Sequence, residues 1–261
     1  MNAYERVQAA RAKGRPTAMR YIENIFTDFI EMHGDRRFAD DPAVVAGIAC
    51  LEGRPVTVIG LEKGVEVEEK VRRNFGAAHP EGYRKALRQM KLAEKFRRPV
   101  VCFVDTSGAF CGIGAEERGE GQSIAENLRE LMGLRTPVIA IVIGEGGSGG
   151  ALALAAANEV WMLENAVYSV ISPEGAASIL WKDAGRTQEA SESLKLTAQD
   201  LLGFGVIERV FEENGDWTGV YAGIRAALVE SFIGYGAMTG EQLAAHRYDK
   251  FRRIGRTGEA T

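Results

Sequence analysis

The residues most able to do chemistry are concentrated in one run, Gly144-Glu145-Gly146-Gly147-Ser148-Gly149-Gly150, between an apolar segment and a helix of small residues. The run satisfies G-x-G-x-x-G through Gly144, Gly146 and Gly149, with Glu164 about 20 residues on, the formal pattern of a dinucleotide site. Such a unit normally opens its domain, whereas here strand-and-helix units precede it. The run also contains G-x-S-x-G, which would make Ser148 a hydrolase nucleophile. That chemistry needs an acid and a histidine downstream, and His246 in a polar tail is the only histidine there. A phosphate-binding P-loop fails for want of Gly-Lys-Ser/Thr. The remaining chemistry uses the main chain. Glycines at a strand-to-helix turn let a substrate approach the backbone, where the first helical N–H groups and the helix dipole could hold an oxyanion. Close helix–strand packing explains the same glycines and alanines equally well.

A second loop, Asp105-Thr106-Ser107-Gly108-Ala109-Phe110-Cys111-Gly112 through Arg118-Gly119, repeats the device with charges. Two such loops side by side would form two walls of one cleft at the carboxyl ends of strands. Its plainer reading is a surface loop held by an internal Arg118–carboxylate pair. Cys111 has no histidine near in sequence to activate it, so a packed or incidental thiol is expected. Between Lys63 and Arg98 stand 11 Lys/Arg against 5 Glu. A solvated helix face is the ordinary explanation of such a run, and a polyphosphate or acidic partner the sharper one.

These loops need strands and helices to hold them. Residues 1–20 lack a clear period and read as a mobile or partner-bound arm, before a single domain over 21–261. Apolar residues at 21, 22, 25, 26, 29 and 30 predict a helix over 21–33. Val44–Leu51 and Val56–Leu61 around Glu52-Gly53-Arg54-Pro55 predict a hairpin. A helix over 82–98 follows, with Arg84, Arg88, Lys91 and Lys95 on one face. Runs 99–105 and 137–143 are continuously apolar, as in parallel strands covered on both faces. Each leads into a glycine-rich loop and a helix. Strands at 160–163 and 167–171 precede a helix opened by Ser172 as N-cap and Pro173. A last strand (206–211) and a helix (218–233) complete the order ββα, βα, βα, ββα, an α/β fold.

With 261 residues, 46% hydrophobic and a net charge of −4, the chain is an ordinary globular one with no general affinity for nucleic acid or membranes. Three cysteines without C-x-x-C spacing point to a reducing compartment, and three scattered histidines make a metal site in this chain unexpected. The beginning Met1-Asn2-Ala3-Tyr4-Glu5-Arg6 has no apolar core of a signal peptide, so a cytoplasmic location is expected.

Five segments are more specific than any glycine pattern: Arg73–Gly76, Pro80–Ala86, Gly114–Gly119, Val142–Leu152 and Tyr168–Gly175. In that order they resemble the α-subunit family of the bacterial acetyl-CoA carboxylase carboxyltransferases, over nearly the whole chain from Arg6 to Gly255. The sequence departs from the family at Ser107, Phe110 and Cys111, where Pro, Tyr and Pro are usual, and at Glu212–Asp216. The resemblance implies a crotonase/ClpP-like spiral of ββα units. It implies transfer of a carboxyl group from biotin, borne on a biotin carboxyl carrier protein, to a CoA thioester, acetyl-CoA, giving malonyl-CoA for fatty acid synthesis. It further implies an α2β2 assembly in which the β subunit holds zinc, with biotin carboxylase in the wider complex. Matched residue by residue, Gly149 and Gly150 would form the oxyanion hole for biotin, with Gly108, Ala109, Gly146, Gly147 and Ser148 around it. Related biotin-dependent acyl-CoA carboxylases or decarboxylases and a Ser148 hydrolase are the alternatives.

Overall fold

The computed structural model describes residues 1–256. Its core is one eight-stranded sheet: β1 (Thr27–Glu31), β2 (Val44–Leu51), β3 (Arg54–Leu61), β4 (Val100–Thr106), β5 (Val138–Gly147), β6 (Glu159–Leu163), β7 (Val167–Ser169) and β8 (Arg209–Phe211). The helices are α1 (Ala3–Ala10), α2 (Ala18–Ile25), α3 (Val67–Arg72), α4 (Pro80–Lys95), α5 (Ile113–Glu117), α6 (Glu120–Gly133), α7 (Ser148–Ala155), α8 (Pro173–Trp181), α9 (Thr187–Ser193), α10 (Ala198–Gly203), α11 (Trp217–Tyr235) and α12 (Gly240–Arg253). Among the described residues no helix is long and apolar enough to cross a membrane.

The strand order is β1-β2-β3-β4-β5-β6-β8, with β7 attached to β5. The expected hairpin is β2–β3, antiparallel from Val44↔Leu61 to Leu51↔Arg54. From β3 onward all pairings are parallel. Every residue of β4 is buried, as its unbroken apolar run requires when helices cover both faces. β5 is the branch point. Its first half pairs β6 through Ile139–Val142, and its last residues, Glu145–Gly147, pair β7.

Three expectations are corrected. The helix expected over 21–33 stops at Ile25. Asp28 takes a left-handed φ of 55°, and Thr27–Glu31 become an edge strand paired with β2. Ile30, which completes the helical spacing, is 64% exposed, so the periodicity there is accidental. Residues 1–20 are a docked segment rather than a mobile arm. Asn2 and Glu5 form a capping box, and Val7 and Ala10 pack against Val167 and Leu196. Arg6 donates to the Glu164 carbonyl at 2.6 Å, and Arg15 grips Glu213 with both terminal nitrogens at 2.7 Å. Finally, the expected polar tail is α12. Its Arg247 is fully buried and donates to the carbonyls of Leu131, Leu134 and Thr136 and to Asn158 Oδ1.

Candidate functional site

The ends of β4 and β5 lie side by side, with Thr106 opposite Gly146 and a register irregularity just before. The two glycine-rich loops therefore face each other. At Gly147 a Cβ would run into the Ser107 carbonyl. At Gly150 it would stand 2.6 Å from Ala109 N, 2.7 Å from Tyr83 Oη and 2.9 Å from Gly108 C. Only glycine permits this approach of main chain to main chain. The opposite wall is held by Thr106, whose Oγ1 donates to the Gly108 carbonyl at 2.7 Å and accepts the Gly108 N–H at 3.1 Å.

Where the loops meet, α7 begins. Ser148 turns the chain with φ 55°, and its side chain is exposed. Among the described residues no oxygen accepts the N–H of Gly149 or Gly150. Two free donors at a helix start, beside a partly open surface, form a cradle that could accept negative charge on an oxygen atom. Gly108, Ala109, Gly146, Gly147, Ser148, Gly149 and Gly150 are thus brought into one cluster. Their roles in packing differ: Gly146 sits under the Tyr168 ring and Gly147 and Gly150 against the other loop, whereas a Cβ at Gly149 would meet only Ile124, at 3.5 Å. Close packing and a donor cradle coexist in one loop.

Beneath the cradle lies a charged lattice that the sequence pattern did not single out. Lys63, just past β3, places Nζ 2.7 Å from Asp105 Oδ1 and 2.8 Å from Glu145 Oε2. Asp105 Oδ1 also accepts the Glu145 N–H at 2.9 Å. Arg11 holds the other Glu145 oxygen and Glu174, each at 2.7 Å. Burial favours neutral Lys63, but Asp105 and Glu145 outweigh it and raise its pKa. Burial likewise pushes the Glu145 carboxyl up, and Lys63 and Arg11 overcome that and hold it below the usual carboxylate range. This lattice floors a cleft of about 550 Å³ between residues 10–20 and the strand ends, which opens to Ser107. The available signal was a pair of carboxylates, Asp105 and Glu145, embedded in otherwise buried, uncharged strand ends.

A second polar group lies behind Gly150. Among the described residues the buried Tyr83 hydroxyl, both oxygens of Glu120 and Asn127 Oδ1 have no hydrogen-bond partner. Burial first, then Asp41, Glu116 and Glu81, pushes the Glu120 carboxyl up to about 8.

Other candidates fall away on position. Ser148 makes no side-chain hydrogen bond to a histidine or carboxylate among the described residues. His246 packs on Tyr235 and meets Asn158, beside the start of β5 rather than its end. Cys111 is a free, exposed cysteine, and the ring of the neighbouring His79 is engaged with Phe110, 4.1 Å between centroids and tilted by 33°. Arg118 pairs outside its loop, with Glu81 on α4 at 2.9 Å. The basic run is largely consumed internally: Arg84 binds Asp35, Lys85 binds Asp40, and Arg88 donates to the carbonyls of His33 and Gly34. It is not one free cationic face. Among the described residues no cluster of His, Cys, Asp and Glu could hold a metal ion.

A family model described as acetyl co-enzyme A carboxylase carboxyltransferase-like matches residues 1–255. The chain is 63% identical over 256 residues to the acetyl-coenzyme A carboxylase carboxyl transferase subunit alpha of Ruminiclostridium cellulolyticum, covering 98% of each. It is 52% identical over 261 residues to the protein of Natranaerobius thermophilus named acetyl-coenzyme A carboxylase carboxyl transferase subunits beta/alpha, covering 98% of this chain and 43% of that one. Among solved structures, the transcarboxylase 12S core is similar with a TM-score of 0.69 at 19% identity, over 100% of this chain and 46% of the other, a likeness of fold.

Proposed function

We infer the function from one premise: the chain belongs to the acetyl-CoA carboxylase carboxyltransferase family. It is the α subunit of a biotin-dependent carboxyltransferase that moves a carboxyl group to acetyl-CoA, and it works with a β partner. The observation that carries the reading at residue level is the pair of free N–H groups at Gly149 and Gly150, at the meeting point of the two loops.

Biotin, when bound with its carboxyl load, supplies the transferable group and a ureido oxygen that gains negative charge as that group leaves. The cradle fits such a planar group: it is flanked by backbone rather than bulky side chains, and among the described residues its donors have no competing acceptor. The N–H groups of Gly149 and Gly150 hold the oxygen, and their orientation is fixed before charge develops, so little reorganisation opposes the step. Gly108 and Ala109 form the facing wall, and Gly146 and Gly147 keep it close. Ser148 turns the backbone without acting as a nucleophile. No side chain of this chain would have to act as the base, because the cofactor, when bound, would supply the proton-accepting group.

The fused beta/alpha relative supports a β partner that completes the site. An α2β2 assembly, zinc in the β subunit, loading from a biotin carboxyl carrier protein and contact with biotin carboxylase extend this proposal, as does a cytoplasmic location. The test is malonyl-CoA-dependent carboxyl transfer to biocytin, run with this chain alone and with a candidate β subunit. Transfer only in the mixture is expected. A stable complex without transfer would overturn the assignment.

A further inference from the structure

The structure assigns Lys63 a positioning role: it fixes the spacing of the two glycine-rich loops by bridging Asp105, at the end of β4, to Glu145, at the start of the cradle. The inference rests on the carboxyl-transfer reading for its kinetic consequence but has a structural readout of its own.

The geometry singles out Lys63. Its Nζ spans the two carboxylates at 2.7 and 2.8 Å, and its side chain is only 19% exposed, against 7% and 12% for Asp105 and Glu145. The bridge lies where the β4–β5 register slips and β5 leaves β6 to pair β7, so ladder hydrogen bonds constrain the spacing least there. Gly144 is packed directly against the Asp105 carboxyl, and Gly76 against Lys63 Cγ, so the backbone has been thinned on two sides to admit the bridge. Asp105 is two residues before Ser107 and Glu145 two before Gly147, which is in contact with the Ser107 carbonyl. A change in carboxylate spacing is therefore carried directly to the cradle. A partly buried ion pair adds little net stability, but it fixes one arrangement, and removing one partner leaves unpaired charge behind.

The groups facing the two carboxylates are Lys63 just past β3, Arg11 after α1, Glu174 on α8 and Tyr21 on α2, with Lys13, Arg15, Arg20, Glu66 and Lys70 lining the same cleft. Without Lys63, Arg11 is the one cation among the described residues still paired with Glu145 and Glu174, and none is paired with Asp105; Lys13, Arg15, Arg20 and Lys70 stand farther round the cleft. Two carboxylates then repel across the gap the lysine filled, and relief comes when the pair takes up one proton.

The experiment compares Lys63→Met, Lys63→Arg and the double variant Lys63→Met/Asp105→Asn in complex with the β subunit. Lys63→Met is expected to lower kcat for transfer to biocytin about 10- to 100-fold at pH 8, with a smaller change in KM for malonyl-CoA, because displacing a cradle by about 1 Å costs rate on that scale. Its kcat recovers as pH falls toward 6, unlike that of the parent. Lys63→Arg and the double variant recover to within about threefold of parental kcat, above the whole range expected for Lys63→Met; Asn can still accept the Glu145 N–H. Independently of any activity, the melting temperature of Lys63→Met relative to the parent chain rises from pH 8 to pH 6. A parental kcat and pH profile in Lys63→Met overturn the inference, as does a folded double variant with no recovery. If the parent complex itself transfers nothing, the family-level reading fails, and the melting-temperature comparison alone decides the bridge: no pH-dependent difference overturns it.

Discussion

Adding a single methyl group at Gly150 tests whether the cradle works through position. In Gly150→Ala the N–H is retained, so any loss must come from displacement. The new Cβ would lie 2.6 Å from Ala109 N, 2.7 Å from Tyr83 Oη and 2.9 Å from Gly108 C, and two of these three neighbours are backbone. Ordinary contact begins near 3.4 Å, so the loops must separate by roughly 0.5–0.8 Å, overpacking that costs about 1–3 kcal/mol. Replacing glycine by alanine inside a helix returns roughly 0.5–1 kcal/mol. The net loss lowers the melting temperature by only a few degrees at this chain length, about 2–4 °C per kcal/mol. Rate is affected more. A cradle displaced by that amount loses about 10²-fold in kcat. Gly149→Ala is the matched control: its methyl group meets only Ile124, at 3.5 and 3.9 Å, so the fold tolerates it. The assay is kcat for carboxyl transfer to biocytin in complex with a β subunit, beside thermal unfolding of each variant. The loss in Gly150→Ala should exceed that in Gly149→Ala at least about tenfold. A Gly150→Ala complex with parental kcat would refute the reasoning, because the loops could then part without consequence.

Ser148→Ala keeps most of the transfer activity, since the exposed hydroxyl has no base beside it; a loss beyond about 10³-fold, the scale of a lost nucleophile, would restore the hydrolase reading. Glu120→Gln stabilises the chain increasingly with pH. The folded carboxyl, at about 8, lies above its unfolded value of 4.5, so the native state binds the extra proton and loses stability as pH rises between them. Melting curves at pH 5 and pH 8 should show the variant gaining on the parent by up to about 2 kcal/mol, discounted for relaxation around the unpartnered oxygens; a constant difference would place the ionisation elsewhere. Arg247→Met leaves three carbonyls and Asn158 Oδ1 without their buried donor, at a cost of about 3–5 kcal/mol, read from denaturant unfolding; a shift under about 1 kcal/mol would mean those acceptors find other partners.

Much of this molecule is legible in its residues one at a time. Uninterrupted apolar runs identify β4 and β5 as covered strands, because only burial on both faces tolerates such runs. Ser172 and Pro173 mark the start of α8: the Ser172 hydroxyl accepts the Gly175 N–H at 3.1 Å. Glycines at strand ends mark where loops meet backbone to backbone. All of these are local signals, set by side-chain shape, φ preference and hydrogen-bonding capacity within a few residues. Where the local signal is ambiguous, distant contacts decide. The spacing at 21–30 suits a helix, yet an open edge of β2 turns Thr27–Glu31 into a strand. Residues 3–10 have no clear apolar stripe, yet α1 is held by Glu164, Val167 and Leu196.

The charges show the divide most plainly. Lys63, Asp105 and Glu145 are far apart in the chain, and in sequence each resembles an ordinary polar residue at a loop. Their pairing within 3 Å depends on β3, β4 and β5 ending at one level, and that is a property of the parallel sheet. The same holds for the basic run, whose net charge is visible in sequence while its partners, Asp35 and Asp40, arrive from another part of the chain. Residue type fixes what a group can do. Which groups meet, and so which charges are neutralised and which donors are left free, is settled only when the chain closes on itself, because Coulomb and hydrogen-bond energies depend on distance in space rather than separation along the chain.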